Sequence, residues 1–135
     1  VLYQGKVAST YYFSTSGGRT AAIEDVWPGE TPVPYLVSVP DPYDTASPYH
    51  DWGPIVVKRE RLAKMLKVQG PLMDATTAVN GSQRATTVTG VGRNGPAEPI
   101  DATALRQKLD LRSTWFTVGV LAVERPAAPL APLRG

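Results

Sequence analysis

The densest run of chemistry-bearing residues is Ser14-Thr15-Ser16-Gly17-Gly18-Arg19-Thr20, where hydroxyls and bare backbone sit beside one guanidinium. Two glycines in series let the main chain take positive φ and approach a ligand closely, while the hydroxyls and Arg19 offer directional hydrogen bonds. Such a string holds a polar ligand or makes a plain hydrophilic turn, and composition leaves both open. It is no Walker loop, because no Gly-Lys-Ser/Thr follows, and no Gly-x-Ser-x-Gly nucleophile elbow is present. Glu24, Asp25, Glu30, Asp41, Asp44 and Asp51 could supply a general acid and base, but carboxylates beside Pro and Gly more often stabilise turns. His50, between Tyr49 and Asp51, could be an Asp-oriented acid/base or a metal ligand; a lone His more often packs or caps. Trp27, Tyr35, Tyr43, Tyr49 and Trp52 could stack on the apolar faces of sugar rings or fill a core.

The elements that must position these residues are short. Val1-Leu2-Tyr3 and Lys6-Val7-Ala8 flank Gln4-Gly5 and predict an opening hairpin, extended over Ser9 to Phe13. From Ser14 to Pro54 the chain is punctuated by Gly and Pro and reads as ordered loop, a length that usually signals function. Leu62, Met65 and Leu66 fall on one face of a helix over 59–68, stopped by Gly70-Pro71. Leu72 to Val79 and Arg84 to Val91 read as strands joined at Asn80-Gly81, with a further turn at Asn94-Gly95-Pro96. Asp101 is placed to cap a helix over 102–109. Trp115 to Val123 carries apolar residues on both alternate sets and reads as a buried central strand. Hairpin turns outnumber helical patterns and no βαβ alternation appears, so the fold class is α+β, mostly antiparallel β with two short helices. One domain over 1–124 is expected, followed by a Pro/Ala-rich tail over 125–135.

Composition excludes several classes. With 135 residues and no cysteine, there is no disulfide framework, thiolate metal site or Cys nucleophile. The net charge of +2 comes from interleaved charges such as Lys58-Arg59-Glu60-Arg61, which gives no argument for nucleic acid. No apolar run approaches the ~20 residues needed to cross a bilayer.

The ordered strings are more specific than composition. Tyr3-Gln4-Gly5-Lys6, Tyr12-Phe13-Ser14-Thr15-Ser16-Gly17-Gly18-Arg19-Thr20, Val26-Trp27, Pro34-Tyr35-Leu36 with Val39, and Pro42-Tyr43-Asp44 closely resemble the SpoIID/LytB family, stage II sporulation protein D and amidase enhancer. Leu109-Asp110-Leu111-Arg112-Ser113-Thr114-Trp115-Phe116 is similar to that family's terminal signature. The resemblance implies an extracytoplasmic bacterial protein, in the cell wall or at the outer face of the cytoplasmic membrane, acting on peptidoglycan. It implies a lytic transglycosylase domain that binds and cleaves glycan strands stripped of stem peptides, or else a non-catalytic glycan-binding or amidase-enhancing module. Implied partners are glycan strands, a cell-wall amidase and the upstream portion of the same domain.

By the same resemblance, one Glu protonates the glycosidic oxygen and then assists attack by the muramic 6-hydroxyl, giving a 1,6-anhydro end. That Glu and the Ala-rich helix after it precede the Ser-Thr-x-Gly-Gly motif in the family and do not stand in these residues, so no catalytic residue is assigned. Some members carry His, Cys and His where this chain has Phe13, Ser16 and Arg19; Phe and Arg do not bind zinc, and neither metal nor cofactor is expected. The residues carried over as substrate-binding are Ser14, Thr15, Ser16, Gly17, Gly18, Arg19 and Thr20, with stacking from Tyr11 or Trp27. Without the upstream portion, an exposed apolar patch is expected around Val1 to Phe13.

Overall fold

A computed structural model describes residues 1–121. The boundary expected at 124 and the tail over 125–135 lie outside the described residues. The order is β1 (Leu2–Tyr3), β2 (Lys6–Val7), α1 (Ile23–Val26), a 3-10 turn (Asp44–Ala46), α2 (Arg59–Met65), β3 (Leu72–Val79), β4 (Ala85–Gly92), β5 (Gly95–Pro96), β6 (Ile100–Asp101) and α3 (Ala102–Leu109). All pairings are antiparallel: β1 with β2, and β4 with β3, β5 and β6. The fold class is therefore α+β with mostly antiparallel strands. To the two helices expected, the structure adds the short α1.

The core is small. Leu62, Ala63 and Leu66 of the α2 region pack on Leu72, Ala75 and Val88 of the sheet and on Leu105 of α3. The helix expected over 59–68 ends at Met65, because Lys67 takes φ 55° and turns the chain back. Val68 N–H then donates to Ala63 O and Lys67 N–H to Lys64 O, the paired bonds of a Schellman turn. This places Val68 across β4, where glycines are required: a Cβ on Gly90 would lie 2.5 Å from Val68 Cγ2, and one on Gly92 2.7 Å from Val68 Cγ1. Helix α3 ends the same way, with Asp110 at φ 53° and Leu111 N–H on Arg106 O at 3.0 Å. Its start is the expected cap, Asp101 Oδ1 accepting from Ala104 N–H at 2.8 Å.

Two strand expectations are corrected. The opening hairpin is confined to residues 2–7, with Gln4 and Gly5 both at positive φ in its turn, and Ser9 to Phe13 form no strand. Residues 115–121 form no strand either. Their even positions, Phe116, Val118 and Val120, pack against the core, while Thr117, Gly119 and Leu121 are exposed. Val118 N–H donates to the Thr77 hydroxyl at 3.1 Å and the Arg59 guanidinium to Leu121 O at 2.8 Å, so side chains of neighbouring elements, and not a backbone ladder, hold the segment.

Around Val1 to Phe13 apolar side chains face solvent: Val1 is 90%, Val7 87% and Tyr12 94% exposed, matching the patch expected there. Among the described residues, no helix is long and apolar enough to cross a membrane.

Candidate functional site

The segment from Ser9 to Val57 has little regular structure, so its shape must come from specific closures. Three backbone bonds staple it: Thr20 N–H to Val39 O at 2.9 Å, Asp41 N–H to Gly18 O at 2.8 Å, and Ile23 N–H to Leu36 O at 3.0 Å. The central closure is Asp44. Its carboxylate accepts from Ser16 N–H at 2.7 Å, Gly17 N–H at 2.8 Å, the Thr15 hydroxyl at 2.8 Å and His50 Nδ1 at 2.7 Å. Burial by itself would raise this carboxyl; the hydrogen bonds from His50, Ser16, Thr15 and Gly17 outweigh it and hold Asp44 well below the usual carboxylate range. His50 is raised in turn, first by its bond to Asp44 and against its burial, with the charges of Asp51, Asp44 and Asp41 adding to the rise.

Most polar groups of the Ser14–Thr20 motif are thus turned onto the chain itself. Ser16 is buried, its hydroxyl donating to Asp41 Oδ2 at 2.9 Å and accepting from Gly18 N–H at 3.0 Å. Arg19 Nη1 donates to the Ser38 hydroxyl at 3.2 Å, and the Thr20 hydroxyl to Val37 O at 3.0 Å. Ser14 is exposed at the rim. The outward-facing hydroxyls expected from the sequence are therefore confined to Ser14, while Thr15, Ser16 and Thr20 shape the loop. Gly17, at φ 72°, is where Trp115 approaches: a Cβ there would meet Trp115 Cε3 at 3.3 Å.

Trp115 belongs to the downstream signature, and Arg84 locks the two motifs together. The Arg84 guanidinium lies 4.6 Å from the Trp115 ring centroid and donates to Ser16 O at 2.7 Å and Arg19 O at 3.2 Å. Arg112 of the same signature is exposed, with its guanidinium 4.9 Å from the Tyr49 ring centroid. At the other side the β3–β4 turn docks on α1. Ser82, fully buried, accepts from Ala22 N–H at 3.0 Å, and both its N–H and its hydroxyl donate to Asp25 Oδ2. Sequence reasoning missed Asp44, Ser82 and Arg84 as organisers; the Asp44 position inside Pro-Tyr-Asp was a visible signal, whereas nothing local marks Ser82 or Arg84.

These closures leave an open groove of about 1390 Å³ between the loop segment and the sheet. Aromatic rings line it, including the Tyr11–Trp27 pair with centroids 4.7 Å apart, together with Tyr49, Trp52 and Trp115. His50, Arg106 and Arg112 line it as well. Among the described residues, no group of three His, Cys, Asp or Glu side chains is placed to hold a metal ion.

The two strings that carry the SpoIID/LytB resemblance, the Ser-Thr-x-Gly-Gly loop and the Leu-Arg-Ser-Thr-Trp-Phe segment, both contribute residues to the lining of this groove. The chain is 32% identical over 119 residues to "Stage II sporulation protein D" of Bacillus amyloliquefaciens, which bears out the resemblance to the SpoIID family. The match takes in 86% of this chain and 32% of that relative, so the chain spans about a third of the relative's length. No protein-family model matches the chain, and no solved structure does.

Proposed function

We propose that this chain forms one wall of the glycan-binding cleft in a peptidoglycan-acting, SpoIID-like lytic transglycosylase domain outside the cytoplasmic membrane. The observation that supports this best is the joint between the two motifs: Gly17, Trp115 and Arg84 bring both ends of the family pattern to one aromatic-lined groove. Sugar rings stack on aromatic faces, and polar groups at the rim set their orientation. The chemistry of cleavage needs one carboxyl kept protonated near neutrality by burial. Asp44 is the opposite case, a carboxylate held ionised by its hydrogen bonds, and serves as a structural anchor. The acid is therefore assigned to the Glu of the upstream family segment, and the exposed Val1 to Phe13 patch is the surface on which that segment packs.

The test is digestion of glycan strands lacking stem peptides by the full-length protein, with mass spectrometry of the ends. Appearance of 1,6-anhydro ends is expected, with the chain of residues 1–135 alone binding the strands without cutting them. Binding by the full-length protein without any new ends would instead favour a non-catalytic, amidase-enhancing module. No binding of glycan by either would remove the reading altogether.

A further inference from the structure

Two adjacent glycines of the motif loop each lie beside one ring. A Cβ on Gly17 would meet Trp115 Cε3 at 3.3 Å, and one on Gly18 would meet His50 Cε1 at 3.5 Å. Trp115 and His50 are thus held against consecutive residues of one loop, and both line the aromatic groove.

The imidazole is fixed from several directions. His50 N–H donates to Ser47 O at 3.1 Å, Gly18 passes beside Cε1, and Nδ1 lies 2.7 Å from Asp44 Oδ2. Because the Asp44 carboxylate also accepts from Ser16 N–H, Gly17 N–H and the Thr15 hydroxyl, it is an ionised acceptor and Nδ1 points a proton at it. Nε2 has no hydrogen-bond partner among the described residues. No buried side-chain nitrogen or oxygen there lacks a partner, so Nε2 is open to solvent. Protonated, the ring forms a net-neutral pair with Asp44 and still has one N–H to give. Such a donor suits a neutral acceptor, and the amide carbonyl of an N-acetylated sugar, with its two lone pairs, is one. The bond to Asp44 favours the protonated ring, burial opposes it, and the charges of Asp51, Asp44 and Asp41 favour it again. The cations lining the same groove, Arg84, Arg106 and Arg112, donate elsewhere or stack on aromatic rings.

We propose that His50 is a positioning residue for the acetamido group of a bound glycan: with Nδ1 anchored on Asp44, Nε2–H donates to the amide carbonyl oxygen of a sugar held in the groove beside Trp115. The inference rests on the glycan-wall reading and gives it a contact that registers each sugar along the groove. A ring stacked on an aromatic face can slide and turn; one directional hydrogen bond from a preorganised donor fixes it.

The experiment measures binding of the full-length protein to three probes: cell-wall glycan strands, chitotetraose, and cellotetraose, which shares the β-1,4 backbone and stacking faces but carries hydroxyls in place of acetamido groups. Chitotetraose should bind about tenfold more tightly than cellotetraose, the value of a charge-assisted hydrogen bond. His50→Gln should erase that ratio, with thermal melting as the check on the fold. In the unaltered protein, the imidazole titration of His50 followed by NMR should move to higher pH with chitotetraose and stay in place with cellotetraose, because a ligand that accepts from Nε2–H binds the protonated ring. The ratio should also fall towards one as pH rises through that titration. A purely structural Asp44–His50 pair would loosen the groove for both oligosaccharides alike and leave the ratio unchanged. Equal affinities, an unmoved or lowered titration, or binding of cell-wall strands with neither oligosaccharide bound overturns the acetamido contact and leaves the glycan wall standing. Failure to bind any glycan overturns the reading beneath it.

Discussion

Asp44 is where the motif loop, the Pro-Tyr-Asp turn and His50 meet, and its contacts make a pH signature. An imidazole raised by its partner stabilises the fold fully below its unfolded value of about 6.5, and loses that contribution as pH rises through the folded value. A carboxylate held down stabilises above its unfolded value of about 3.9, and loses that contribution as pH falls through the folded value. The melting temperature should therefore be highest between those two values, and Asp44→Asn should lower it and flatten both limbs. A profile of unchanged shape in the variant would show that the pair does not govern it. Gly17→Ala is a separate test, since it combines a left-handed backbone with a close approach to Trp115. It should cost about 1–2 kcal/mol in denaturant unfolding and shift tryptophan emission; an unperturbed emission spectrum would mean that Trp115 does not rest on this turn.

At the scale of elements, the sheet depends on β4 having no side chain where Val68 crosses it. Gly90→Ala should destabilise by about 1–3 kcal/mol through overpacking, and adding Val68→Ala should recover part of that loss, as read from urea midpoints. A strictly additive double variant would place the strain elsewhere. These elements were the legible part of the sequence. The Asn-Gly turn, the Asp101 cap and the Leu62/Leu66 spacing carry local signals, and each stands in the structure. The end of α2 was not legible, because Lys67 adopts the left-handed conformation without the glycine that usually announces it. The segment 115–121 misled for a different reason: apolar residues on both alternate sets predict burial on both faces, whereas Thr117, Gly119 and Leu121 are exposed, and the pattern says nothing about whether a neighbouring strand exists to pair with. Of the site, the motif was legible and its orientation was not. Which way Ser16 points is decided by Asp41 and Asp44, 25 and 28 residues away.

For the whole molecule, the cost of the arrangement is an apolar surface at Val1 to Phe13 facing water. Residues 1–135 alone should bind a hydrophobic dye and self-associate with rising concentration. Val7→Lys with Tyr12→Ser should suppress both and move stability by no more than about 0.5 kcal/mol, as for substitutions at exposed sites. Unchanged dye binding would locate the sticky surface elsewhere. The Asp44 closure also has a consequence in time. Strands β3 and β4 are joined by a short turn and find each other locally, whereas Ser16 and Asp44 meet only after 28 residues of intervening chain are drawn together. Amides of Ser16 and Gly17 should accordingly exchange with solvent deuterium by local opening, long before those of β4. The loop wall of the groove is then the last part of the chain to acquire its shape and the first to give it up.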